Sequence, residues 1–140
     1  MGANNADFEF AKSNIVGPVH FSPKKNRESI ERNGLQARLP QGAMGFAEHY
    51  GKRLAPKDVT GVYFVKNAHA FDEDDLHDRN QDIWECTHPH LYSFNDDPIR
   101  DDYAERNSFS ATDIRPEHLR RVGHVKGYTA HWHPEEQCNG

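Results

Sequence analysis

Hydrophobic and polar positions along the chain separate into short apolar runs and longer polar connections. Residues 15–21, IVGPVHF, are apolar enough for a strand, with Gly17-Pro18 marking an edge or a bend. Ser22 then reads as a helix N-cap with Pro23 at the first helical position, giving a helix over 23–33 closed by Gly34. On this reading Ile30 and Leu35 form the hydrophobic contact of a Schellman ending, and the other faces of the helix are solvated. Residues 36–60 form a long loop-rich connection with a short helix near 45–54.

The clearest strand is GVYFVK, 61–66, where a glycine leads into β-branched and aromatic residues. An acidic helix follows near 68–76. The segment QDIWECT, 81–87, alternates so that Ile83 and Glu85 share one face and Trp84 and Cys86 the other. Residues 108–128 read as strand, turn and strand, with one helical turn from Pro116 and a last strand around Val122 and Val125. Strands and short helices do not alternate regularly, which indicates an α+β domain rather than a doubly wound sheet.

Composition narrows the picture. The chain has 140 residues, 35% of them hydrophobic, which suits one domain with an economical core. We divide it into a polar segment over 1–14, a domain over 15–128 and a tail over 129–140. The formal net charge of -5 and the absence of a long basic run argue against non-specific duplex binding. Cys86 and Cys138 belong to no C-x-x-C pair, which fits a reducing compartment. No signal-peptide pattern or membrane-spanning apolar run is present, so the expectation is a cytoplasmic protein with no membrane partner.

Three pieces occur in a specific order: VHFSP with a helix ending S-I-x-x-x-G-L, then GVYF at 61–64, then DIWEC and DIRPEHLRRV. Over residues 17–126 this order resembles the ADP-ribosyltransferase-like superfamily, in particular its histidine-tyrosine-glutamate branch and the related RNA 2′-phosphotransferases. The resemblance implies an ADP-ribosyltransferase-like split β-sheet with short helices. It also implies NAD as substrate and a macromolecular acceptor, protein or nucleic acid. By position, His20 would bond the adenosine-side ribose, and the backbone of Phe21 would meet the nicotinamide amide. Ser22 lies at the same strand end, as a cleft residue or purely as a helix cap. Tyr63 would stack on nicotinamide, although it also reads as an ordinary sheet aromatic. The family's catalytic glutamate falls near Asn107, with Glu105 two residues earlier on the same face of an extended strand.

If Glu105 is the equivalent, the chain is a mono-ADP-ribosyltransferase; if Asn107 is, the fold would serve as a non-catalytic nucleotide- or protein-binding module. Arg38, Arg53, Arg106 and Arg121 are available to grip phosphate. The pairs His88/His90 and His131/His133, with Cys138, offer two-ligand half-sites, but H-E-x-x-H and recognised zinc spacings are missing. Asp72 to Asp75, Asp96-Asp97 and Asp101-Asp102 read as solvated acidic clusters. P-loop, Rossmann and nucleophile-elbow motifs do not occur.

Overall fold

In the computed structural model of the chain, residues 14–66, 80–99, 106–126 and 129–132 are described. They form an α+β fold on one open antiparallel sheet of seven strands, in the order β4-β5-β2-β1-β3-β6-β7. The strands are β1 (Val19–Pro23), β2 (Val62–Val65), β3 (Gln81–Cys86), β4 (Phe94–Asp96), β5 (Asn107–Ser110), β6 (Leu119–Lys126) and β7 (Thr129–Trp132). Three short helices accompany them: α1 (Arg27–Asn33), α2 (Ala43–His49) and α3 (Pro56–Val59).

The sheet is joined unevenly. β1 pairs with β3 through five successive residues, from Val19↔Glu85 to Pro23↔Gln81. β2 pairs with β5 through four, from Val62↔Ser110 to Val65↔Asn107. Between these two halves, β1 and β2 share only Val19↔Val65. Beyond that pair the strands part, so His20 and Ser22 border a gap on the β2 side while β3 pairs with them on the other.

Both faces of the sheet are covered, so β3 is buried along nearly its whole length, its charged Asp82 and Glu85 included. Ile83 packs in one core cluster with Val19, Val65, Val122, Val125 and Trp132. Trp84 and Cys86 pack in another with Ile30, Leu35, Val62, Phe64 and Ile114. The alternation expected of QDIWECT is therefore present. A third, smaller cluster of Ala43, Ala47, Val59 and Ile99 holds α2 and α3 in the 36–60 segment.

Several expectations need correction. Ser22 and Pro23 end β1 and do not begin a helix; they pair with Asp82 and Gln81. The ladder to β3 outcompetes the local cap, and α1 starts only at Arg27, after a 3-10 turn over Lys24–Asn26. Gly34 does close α1, with φ 75° and its N–H bonded to the Ile30 carbonyl at 2.8 Å. The ending is not a Schellman motif, because the Leu35 N–H is taken by the Ile114 carbonyl at 2.9 Å. Ile30 and Leu35 still share a core cluster. Of the two readings of Gly17-Pro18 the bend holds: the chain bends at Gly17 ahead of β1, which is a central strand and not an edge strand.

The sheet also continues past residue 128. In β7, Ala130 and Trp132 are buried, so this piece of the expected tail belongs to the core. The acidic helix expected near 68–76 lies outside the described residues.

Candidate functional site

Where β1 and β2 part, a cleft of about 520 Å³ opens. That lies within the range of small-molecule sites, about 300–1,000 Å³. β1 contributes His20 and Ser22, the turn and α1 contribute Asn26, Ser29 and Ile30, and the following segment contributes Gly34, Gln36, Arg38 and Pro40. Gly61, Val62 and Tyr63 line the opposite side. Three residues singled out from the sequence, His20, Ser22 and Tyr63, thus lie on one cleft. Phe21 points its side chain into the first core cluster, as alternation along β1 requires. Glu105 lies outside the described residues.

His20 is fixed across the gap. Its Nδ1 lies 2.7 Å from the Tyr63 carbonyl oxygen. A carbonyl can only accept, so Nδ1 carries the proton and Nε2 is left with an acceptor lone pair. Burial holds the imidazole pKa below its ordinary value and outweighs the opposing effect of the Tyr63 carbonyl. The ring is therefore neutral near pH 7 and suited to accept a hydrogen bond from a ligand hydroxyl. Ser22 is buried, and its Oγ accepts from Asn26 Nδ2 at 3.3 Å.

Among the described residues, Arg38 is the one guanidinium on the cleft, and no carboxylate lines it. The backbone of Arg38 is bridged to Gly61, and its NH2 donates to Gln36 Oε1 at 2.8 Å. Arg53, Arg106 and Arg121 are not part of this lining. In a chain of net charge -5, a cleft whose described lining holds one cation and no acid favours an anionic ligand.

A second, largely apolar cavity of about 240 Å³ adjoins the first, sharing Pro40 and Tyr63 with it. Ala43 and Phe46 of α2, Gln41, Asp97 and Ile99 complete it. The Tyr63 ring packs with the third core cluster and lies 5.0 Å from the Phe109 ring. Its hydroxyl donates to the Val59 carbonyl at 2.7 Å. Burial, and then the negative charge of Asp97, push that hydroxyl well above the usual phenol range. The ring stays neutral and is held in place from both ends, by its hydroxyl and through the bond from His20 to its carbonyl.

Asp97 was not legible as a site residue. Within the Asp96-Asp97 pair the two side chains diverge: Asp96 is exposed and meets Lys66 at 2.8 Å, whereas Asp97 is only 8% exposed. Asp97 Oδ1 accepts from the Ile99 N–H at 2.8 Å, and Oδ2 accepts from Asn107 Nδ2 at 3.3 Å. The first bond, two residues on, is an Asx turn. The D-P-I sequence carries the local signal for it, but nothing local reports the contact with Asn107.

The histidine pairs stand elsewhere. His88 and His90 lie 5.9 Å apart by ring centroid, and His88 and His118 lie 4.8 Å apart. Tyr92 Oη accepts from the Arg115 N–H and bonds His118 Nδ1 at 2.7 Å. His131 stacks on His124 across the β6–β7 ladder at 5.0 Å, and His133 and Cys138 lie outside the described residues. Among the described residues, no group of three or more His, Cys, Asp or Glu side chains is arranged to hold a metal. Cys86 is buried, which pushes its thiol pKa up and disfavours the reactive thiolate. Among the described residues, no helix is long and apolar enough to cross a membrane. No family model matches the chain, and no curated protein or solved structure matches it either.

Proposed function

We propose that the cleft binds NAD and that the protein is a mono-ADP-ribosyltransferase-like domain modifying a macromolecular acceptor. The observation that carries this reading is the single-pair junction of β1 and β2, with His20, Ser22 and Tyr63 lining the cleft beyond it. That arrangement is consistent with the split sheet implied by the resemblance. The neutral imidazole of His20 supplies an acceptor for a ribose hydroxyl. The hydroxyls of Ser22 and Ser29 and the amides of Asn26 and Gln36 offer further polar contacts, and Arg38 offers a cation for the pyrophosphate. The apolar cavity beyond Tyr63 suits the flat nicotinamide end.

A second reading, a non-catalytic nucleotide-binding module on the same fold, is favoured by one observation. Asn107 opens β5, and its amide is engaged with Asp97. An amide there cannot supply the charge of the family's glutamate.

The role of Arg38 is tested by comparing NAD with adenosine. In Arg38→Gln, NAD affinity is expected to fall about tenfold, the gain expected of one charge-assisted contact. Adenosine affinity should change less than twofold. Equal losses for both ligands would remove the phosphate contact from the account.

A further inference from the structure

Transfer of ADP-ribose from NAD needs negative charge near the ribose as nicotinamide leaves, because C1′ then carries oxocarbenium character. Among the described residues, the two cleft compartments together are lined by one carboxylate, Asp97. It is buried, adjoins Tyr63 in the smaller compartment, and is bonded to the amide of Asn107. We infer that Asp97, reaching the site from the loop after β4, supplies the charge that the family's glutamate would otherwise supply from the start of β5. The inference rests on the NAD reading and assigns the group that makes catalysis possible despite Asn107.

The geometry supports this in three ways. Asp97 is anchored by the Ile99 N–H at 2.8 Å, so its carboxylate is held before any ligand arrives. Asn107 orients the other oxygen at 3.3 Å, which gives that residue a positioning role instead of a catalytic one. The charge also reaches the Tyr63 hydroxyl, as the direction of that group's pKa shift indicates.

The simplest reaction to follow uses water as acceptor. The bond between C1′ and the nicotinamide nitrogen breaks, and its electron pair leaves with nicotinamide. Water forms the new C1′–O bond and releases one proton to solvent. The products are nicotinamide, ADP-ribose and a proton, with no change of oxidation state.

The test compares wild type, Asp97→Asn and Asp97→Glu, with folding checked by thermal denaturation. Two quantities are measured: the rate of nicotinamide release from NAD, and the ratio of NAD to NADH affinity by calorimetry. Loss of one preorganised electrostatic contact is expected to lower kcat at least 100-fold in Asp97→Asn, with NAD affinity changed less than about threefold. Asp97→Glu should recover part of that loss. The affinity ratio does not depend on turnover. A carboxylate beside the ring favours the cationic nicotinamide of NAD over the neutral ring of NADH, by at least about fivefold, the value for two charges in contact at the dielectric of water. In Asp97→Asn the ratio should fall to about one. If Asp97→Asn does not fold, Asp97→Glu is the variant read, and a ratio near one in wild type overturns the inference without any variant. Tight NAD binding with an unchanged ratio and rate in Asp97→Asn overturns it while leaving the NAD reading intact. Absence of NAD binding to wild type overturns both.

Discussion

Replacing Arg27 with leucine is expected to cost the protein about 3–5 kcal/mol of stability, the usual consequence of stripping one partner from a buried ion pair. Arg27 opens α1 and clamps Asp82 of β3 with both prongs of its guanidinium, at 2.8 and 2.7 Å. The Asp82 side chain is 2% exposed, whereas that of Arg27 is 27% exposed. Water can therefore reach the arginine but cannot replace it around the carboxylate. The loss is a large share of a typical total of about 5–15 kcal/mol.

The pair ties α1 to the sheet at the level of Ser22, whose strand partner is Asp82, so the cleft would loosen with it. The Glu85–Arg120 pair makes a useful contrast. Glu85 keeps the N–H groups of Val16 and Gly17 at 3.0 and 2.8 Å even without Arg120, so the corresponding substitution there should be milder. Urea denaturation measures the effect as a lower midpoint at unchanged slope. A loss under about 1 kcal/mol would place the Arg27–Asp82 pair among ordinary surface contacts.

Gly34→Ala is expected to cost roughly 2–4 kcal/mol, for two independent reasons. The backbone there has φ 75°, a region that residues with a Cβ rarely adopt. A Cβ would also lie 2.0 Å from the Ile114 carbonyl oxygen, which is backbone and cannot rotate away. That carbonyl accepts the Leu35 N–H, so relief of the clash would break the bridge between the end of α1 and the approach to β6. Gly34 also lines the cleft, and ligand affinity should fall with stability. Thermal denaturation checks the first effect. A melting temperature within about 1 °C of wild type would show that the α1 ending tolerates another conformation.

How much of this could be read from the sequence depended on how local each determinant was. GVYF and QDIWEC became strands because their β-branched and aromatic content and their alternation agree with the core faces they fill. Gly34 ended α1 because a positive φ is a local demand that glycine meets. Ser22-Pro23 misled because a cap is also a local signal, and five residues of pairing with β3 outweighed it. TAHW alternates polar and apolar positions over only four residues, too short a run to mark a core strand by itself; pairing with β6 is what places Ala130 and Trp132 in the core.

The site divides along the same line. His20, Ser22 and Tyr63 could be named because they sit in short motifs, yet their meeting on one cleft depends on where β1 and β2 separate. Arg38 was one of four available arginines, and its bridge to Gly61 is what selects it. Asp97 resembled a solvated acid beside Asp96. Its burial follows from an Asx turn and from Asn107, ten residues away in the chain.

The measurement that bears most directly on the account is calorimetric titration of NAD into the wild-type protein and into His20→Ala. Saturable binding at one site, weakened at least tenfold in a folded His20→Ala variant, is the predicted result, since the Nε2 acceptor and the bond to the Tyr63 carbonyl are lost together. Absence of NAD binding to the wild-type protein, or equal binding by the two proteins, would contradict the account.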